Sequence, residues 1–175
     1  MRRAARILIP LLGAAWLGGC SSPTSSSPTF SITITASPDP AVATASKGVQ
    51  YKITNPDNTV SYYDYQYWVH FTLHIQENNG MALDITSINL TAQQAAGGIV
   101  VTPSGGDQIY FKYNSTALTN HINAKGSADV GFDVWYTLPS GGKEALMSVA
   151  FGFQYTDSSG NVTTYSQTGN AKVAP

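Results

Sequence analysis

Apolar and polar residues alternate along most of the chain after residue 29. Over residues 65–77 the apolar side chains have one parity, and mostly polar side chains have the other. This period of two predicts a β-strand with one buried face. The same alternation recurs at residues 30–35, 49–53, 83–90, 128–138 and 147–155. About eight short strands separated by Gly, Pro, Asn and Asp predict an all-β antiparallel sandwich of about seven to nine strands.

Turn residues between the strands predict how some of them connect. Asn78-Asn79-Gly80 follows the strand at 65–77 and predicts a hairpin into the strand at 83–90. The apolar parity changes within that second strand, which predicts a β-bulge near Thr86 and Ser87. Residues 157–161 predict a second hairpin that leads into a strand from Val162.

The parity of the longest strands also predicts the core. Each predicted core residue lies on the apolar side of its strand, with polar or small neighbours before and after it. We expect one core between two sheets, formed by Val69, Phe71, Leu73, Phe132, Val134, Phe151 and Phe153.

The first nineteen residues have the pattern of a signal peptide. Three arginines within residues 1–6 precede an apolar run at residues 7–19. The run is shorter than the roughly 20 residues that a membrane-spanning helix needs. The segment Leu17-Gly18-Gly19-Cys20 that ends it resembles the lipobox of bacterial lipoproteins. That resemblance implies a diacylglyceryl group on the Cys20 thiol and cleavage before this residue. The alternative is a secreted protein that is cut nearby and keeps a free thiol.

The resemblance predicts a membrane partner and a place in the cell. A lipidated Cys20 would anchor the chain to the cell envelope, and the Ser21 that follows favours the outer membrane if the host is Gram-negative. Residues 21–29 contain only Ser, Thr and Pro, so they predict a disordered tether about 15–30 Å in reach. The expected organisation is a signal peptide at 1–19, lipidated Cys and tether at 20–29, and one β-sandwich domain at 30–175.

Two segments carry a second resemblance. Residues 69–88 contain a long alternating strand, Asn78-Asn79-Gly80 and a second strand, and residues 122–132 place a glycine-containing turn before another long strand. Both resemble the immunoglobulin-like (Ig-like) β-sandwich modules of bacterial envelope proteins. The resemblance implies adhesion, scaffolding or ligand presentation, and it implies no catalytic residue.

Composition excludes several classes of protein. Charged residues are 11% of the chain, against about 25% in an ordinary soluble domain, which argues against a helical bundle. The net charge of −1 and the lack of Lys/Arg clusters argue against a nucleic-acid partner. The single Cys excludes an intramolecular disulfide and a multi-cysteine metal site. We expect no cofactor.

Candidate catalytic and metal-binding groups are too far apart. His70 and His74 lie four residues apart on a predicted strand, about 13 Å, which is too far for one metal ion. Asp129 and Asp133 have the same spacing, beyond the roughly 5–9.5 Å of glycosidase carboxylates. The chain has no Gly-x-Ser-x-Gly motif, which makes an envelope hydrolase the weakest alternative. Residues 157–161 suit a tight turn better than a calcium loop. The expected domain is therefore non-enzymatic, with no catalytic residue and no metal.

Aromatic residues provide the candidate ligand contacts. Trp68 and Trp135 lie on the outward parity of two long strands, and Tyr65 belongs to a tyrosine-rich segment just before Trp68. Outward aromatics can close a cross-strand pair, contact an envelope protein or stack on the sugar rings of a polysaccharide. The sequence therefore predicts a lipid-anchored envelope domain for binding, adhesion or scaffolding, with a carbohydrate-binding module as the alternative.

Overall fold

The computed structural model of the chain describes residues 30–46, 50–54, 56–94, 100–103, 109–115, 120–139, 141–157 and 159–174. The predicted signal peptide, Cys20 and the tether lie outside these residues. No α-helix occurs in the described ranges. Their strands are β1 (Ile32–Ser37), β2 (Ala41–Val42), β3 (Thr44–Ala45), β4 (Gln50–Thr54), β5 (Val60–Asp64), β6 (Tyr67–Glu77), β7 (Leu83–Gln94), β8 (Val100–Val101), β9 (Ile109–Ser115), β10 (His121–Ile122), β11 (Ser127–Tyr136), β12 (Ala145–Thr156) and β13 (Val162–Ala174).

Two sheets are formed from these strands. The first sheet has the order β1-β6-β11-β9, and β3 pairs with β6 beyond the end of β1. The second sheet has the order β10-β7-β12-β13-β2, and β8 also pairs with β7. All of these pairs are antiparallel except β2 with β13. Strands β4 and β5 form a separate hairpin between β3 and β6. The chain is an all-β sandwich, as the alternation predicts.

The core lies between the inward faces of the two sheets. All seven predicted core residues are fully buried, which confirms the predicted register. Phe132 is in the centre of an aromatic cluster: its ring centroid lies 5.3 Å from that of Phe71 in the first sheet and 6.4 Å from that of Phe151 in the second. Phe111 and Tyr113 of β9 pack on the same ring. One aromatic cluster thus joins the two sheets.

The predicted hairpin at residues 78–80 is wrong. Strand β6 pairs with β1, β3 and β11, whereas β7 pairs with β8, β10 and β12, so the segment crosses from one sheet to the other. Gly80 has a φ of +82°, which explains the glycine in the turn. Asn-Gly specifies a sharp change of direction, but it does not specify which strand pairs with which.

The predicted hairpin after β12 and the predicted β-bulge in β7 are confirmed. Strands β12 and β13 form an antiparallel hairpin whose turn begins at Asp157 and ends at Asn161. The pairing of β7 with β12 shifts register between Gly152 and Phe153, which leaves Thr86 as the extra residue of a bulge. A side chain at Gly152 would overlap the Ser87 hydroxyl, so glycine is the residue that fits beside this bulge.

Candidate functional site

Three aromatic side chains form a row across the outer face of the first sheet. Trp68 of β6 is directly opposite Trp135 of β11, which is directly opposite Tyr110 of β9. The centroids of the Trp135 and Tyr110 rings lie 5.8 Å apart at 33°. All three residues are partly buried. We call Trp68, Trp135 and Tyr110 the aromatic row.

The outward position of the two tryptophans follows from the predicted parity, because both alternate with core residues along their strands. Val69 and Val134, their neighbours, are fully buried. The indole nitrogen of Trp68 is also buried and has no hydrogen-bond partner among the described residues. This N–H group is therefore inaccessible to a ligand. The row can contact a ligand through its aromatic rings.

Lys112 provides a positive charge at the row. It is an exposed residue of β9, two positions after Tyr110. Its Nζ lies 5.9 Å from the centroid of the Trp135 ring and 6.0 Å from that of Tyr110, within the range of cation–π attraction. No carboxylate of the described residues lies within 4.0 Å of this Nζ. The ammonium group thus faces two rings and has no acidic protein partner in this part of the chain.

Histidine–aspartate pairs occupy the rest of this face. His70 Nδ1 lies 3.0 Å from Asp133 Oδ1, and His74 Nδ1 lies 2.6 Å from Asp129 Oδ1. Each pair joins directly opposite residues of β6 and β11. The third histidine, His121, forms a similar pair with Asp84 between β10 and β7. About half of each of these side chains is exposed. Each of these carboxylates is therefore engaged by an imidazole.

His70 and His74 lie on the outer face of β6, opposite in parity to the buried Val69, Phe71 and Leu73. In the described ranges, no group of three His, Cys, Asp or Glu side chains is arranged to hold a metal ion. The pairs are cross-strand contacts that stabilise the sheet. Each contributes about 0–1 kcal/mol, as exposed ion pairs do.

Gly131 lies between these pairs on β11. A Cβ built on Gly131 would be 3.8 Å from His70 Cε1, Thr72 Oγ1 and the Asn114 carbonyl oxygen, which are ordinary van der Waals distances. The glycine therefore leaves a gap no larger than a methyl group. It lies on β11 four residues from Trp135, or about 13 Å along the strand.

The three predicted ligand-contact residues have different positions. Trp68 and Trp135 are neighbours in the aromatic row. Tyr65 is only 2% exposed, so its ring offers no surface to a ligand. Tyr65 is therefore not part of the candidate site. Tyr110 and Lys112 were not predicted. The alternation of β9 contains the signal for their outward orientation, but their place beside Trp135 follows only from the pairing of β9 with β11.

Glu77 is a buried carboxylate that the sequence analysis also missed. It is 1% exposed and accepts hydrogen bonds from the backbone N–H groups of Asn79, Gly80, Met81 and Lys125. Burial alone would raise the pKa of Glu77, but these four donors outweigh it and hold the pKa below its usual value. The ionised side chain therefore links two segments. One is residues 79–81, where the chain crosses between the sheets, and the other is the turn before β11.

Two tyrosines hold the connection between β11 and β12. The hydroxyl of Tyr136 donates to the Lys143 carbonyl, and that of Tyr67 donates to the Gly141 carbonyl. Burial, together with the neighbouring Tyr67, raises the pKa of Tyr136. Tyr136 therefore stays protonated and acts as a structural donor.

A turn begins at Asp157 and ends at Asn161, as predicted. The Asp157 carboxylate accepts hydrogen bonds from the Asn161 side chain and from the backbone N–H groups of Asn161 and Ser159. These bonds, the one from the Asn161 side chain foremost, lower the pKa of Asp157. The carboxylate therefore has a structural role as the acceptor that closes the turn.

No known family model and no curated protein matches this sequence. Within the described residues, no helix is long and apolar enough to cross a membrane.

Proposed function

We propose that the chain is a lipid-anchored, non-enzymatic domain of the bacterial cell envelope, whose β-sandwich presents a surface for binding, adhesion or scaffolding. The observation that carries this proposal is the lipobox-like segment that ends at Cys20, after a basic segment and a short apolar run. Two or more acyl chains give stable membrane anchoring without a spanning helix. After cleavage, six lysines and ten acidic residues leave a net charge of −4.

The strand order supports the Ig-like part of the proposal. Immunoglobulin-type domains place strands A, B, E and D in one sheet and C, F and G in the other. Here β1, β6, β11 and β9 have the first order, and β7, β12 and β13 have the second. Domains with this architecture serve many functions, so the functional argument depends on the surface and not on the fold.

The position of the first described residues supports an outward-facing site. Phe30 stacks on Tyr165, with ring centroids 5.0 Å apart, and Ile32 pairs with Glu77 at the far end of β6. The tether would therefore join the sandwich at the Glu77 end. Trp68 lies about 27 Å from Gln76 along β6, at the other end of the strand. An anchored domain would hold the aromatic row away from the membrane.

Metabolic labelling with radioactive palmitate tests the anchor. We expect the label in the wild-type protein and none in Cys20→Ala, because the thiol that accepts the diacylglyceryl group is lost. The variant should also leave the membrane fraction. Trp68→Ala is the control, since it changes the folded domain and should keep the label. Equal labelling of wild type and Cys20→Ala would exclude lipidation at this residue.

Carbohydrate binding is the second candidate function, and the aromatic row is the observation that favours it. Three partly buried rings lie in register on adjacent strands, with Trp135 and Tyr110 in contact, and the C–H faces of sugar rings pack on such aromatic side chains. Trp68 and Trp135 were predicted for this role from their parity alone. Tyr110 of β9 is the third member of the aromatic row, so the row spans three strands and not two.

A glycan array with the unlipidated mature chain (residues 20–175 with Cys20→Ala) tests this second function. We expect polysaccharide signals that fall about tenfold in Trp68→Ala and in Trp135→Ala, because each loses a stacking ring. Tyr62→Ala is the matched control, since Tyr62 is 62% exposed on β5 and lies outside the row. A blank array, or signals that are unchanged in both tryptophan variants, would reject sugar binding.

A further inference from the structure

We propose that the ligand of the aromatic row is a glycan that carries a carboxylated sugar. The sugar ring would lie against Trp68 and Trp135, and its carboxylate would meet Lys112 Nζ. This inference rests on the sugar-binding function proposed above and names the chemical class of the sugar. It is argued from the charges on the outer face of the first sheet.

Lys112 is the group that favours an anionic sugar. Its ammonium group lies over both the Trp135 and the Tyr110 ring, about equally far from the two centroids, so the charge is next to the ring faces of the row. Asp133 is directly opposite on β11, but its carboxylate is 3.0 Å from His70 Nδ1. Because no described carboxylate pairs with Lys112, an acid on the ligand can do so without breaking an ion pair among the described residues. Such a charge-assisted bond is stronger than one between neutral groups.

The negative charges of the domain limit how acidic the glycan can be. Asp129 and Asp133 lie on the same face, and the mature chain has a net charge of −4. A dense polyanion would be repelled by these charges. A single carboxylate beside Lys112, on a glycan with few acidic sugars, avoids this repulsion. The position of the row far from the tether also argues against an anionic lipid head group as the source of the carboxylate.

Titration of the unlipidated mature chain with matched oligosaccharides tests the inference. The probes are trimers in which a single galacturonate, glucuronate or mannuronate is joined to two neutral sugars, each compared with its methyl ester, which has the same rings and no charge. We expect at least one acidic trimer to bind about twofold to fivefold more tightly than its ester, as for one exposed ion pair. Tryptophan fluorescence gives the affinity and reports contact with the row.

Two lysine variants assign the preference to one residue. Lys112→Gln should abolish the preference for the acid and keep the affinity for the ester. Lys172→Gln should change neither, because Lys172 is an exposed residue of the second sheet. The melting temperatures of both variants should equal that of the wild type, which excludes misfolding as a cause.

The outcomes separate this inference from the function on which it rests. Equal affinity for acid and ester, an unchanged preference in Lys112→Gln, or no binding of any acidic trimer would overturn the carboxylate. Sugar binding would then still stand if neutral glycans on the array depend on Trp68 and Trp135. A blank array would overturn sugar binding itself, whereas palmitate labelling tests the anchor separately.

Discussion

Replacing Glu77 with glutamine should lower the free energy of unfolding by about 1–3 kcal/mol at neutral pH, as expected when buried backbone donors lose an acceptor. The carboxylate accepts N–H groups of Gly80, Met81 and Lys125 at 2.7, 3.1 and 2.8 Å, and a fourth from Asn79. Glutamine has only one side-chain oxygen, and its NH₂ group would face backbone donors. Urea unfolding of wild type and variant measures the difference.

The same variant tests the predicted pH dependence. The pKa of Glu77 is lower in the folded chain than the usual value, so its charge stabilises the fold above the usual pKa and stops doing so as the pH falls through the lowered value. Glu77→Gln has no charge to lose. We therefore expect the difference in unfolding free energy between wild type and variant to shrink between neutral pH and about pH 3.

Glu144→Gln is the matched control. Glu144 is the other glutamate of the chain and is exposed between β11 and β12. It should shift the unfolding free energy by less than about 0.5 kcal/mol, as surface substitutions usually do. Equal effects of the two substitutions, or a pH-independent difference for Glu77→Gln, would contradict the role given to the buried carboxylate.

Phe132→Ala should destabilise the sandwich by about 3–5 kcal/mol, the usual cost of removing a buried phenylalanine and leaving a cavity. Phe132 is fully buried, and its ring contacts Phe71, Phe111, Tyr113 and Phe151. The cavity would open at the point where aromatic side chains from both sheets meet. Thermal unfolding followed by circular dichroism should show a clearly lower melting temperature.

His74→Ala is the control for the core. His74 lies on the outer face of β6, and its contact with Asp129 is between half-exposed groups. Its loss should cost about 1 kcal/mol or less. If His74→Ala were as damaging as Phe132→Ala, the inward and outward faces of the first sheet would have to be exchanged.

Alternation along the chain was sufficient to predict the inward faces. Phe71 and Phe153 follow directly from it, because a period of two assigns each residue to one face of its strand. The bulge at Thr86 was also readable, since an extra residue reverses the parity on one side of it. Pairing between distant strands was not readable, because a local pattern says nothing about which strand lies alongside. For this reason the turn at residues 78–80 suggests a hairpin, although it connects two strands of different sheets.

The candidate site shows the same limit. Trp68 and Trp135 were predicted as outward residues, but their direct opposition requires the register of β6 with β11. Tyr110 and Lys112 join them only through the register of β9. Glu77 did carry a sequence signal: it has the same parity as Leu73 and Ile75, which marks it as an inward-facing acid. An inward carboxylate beside a tight turn indicates backbone donors.

The pairing of β1 has a mechanical consequence for an anchored domain. Strand β1 runs antiparallel to β6 from Ile32, opposite Glu77, to Ser37, opposite Thr72. A tether before Phe30 would pull β1 toward the membrane, while a ligand held at Trp68 would pull β6 the other way. The hydrogen bonds between these strands are perpendicular to that force. These hydrogen bonds would share the load in shear and break together. The domain would therefore resist unfolding under tension far better than a pair of strands whose hydrogen bonds open one at a time.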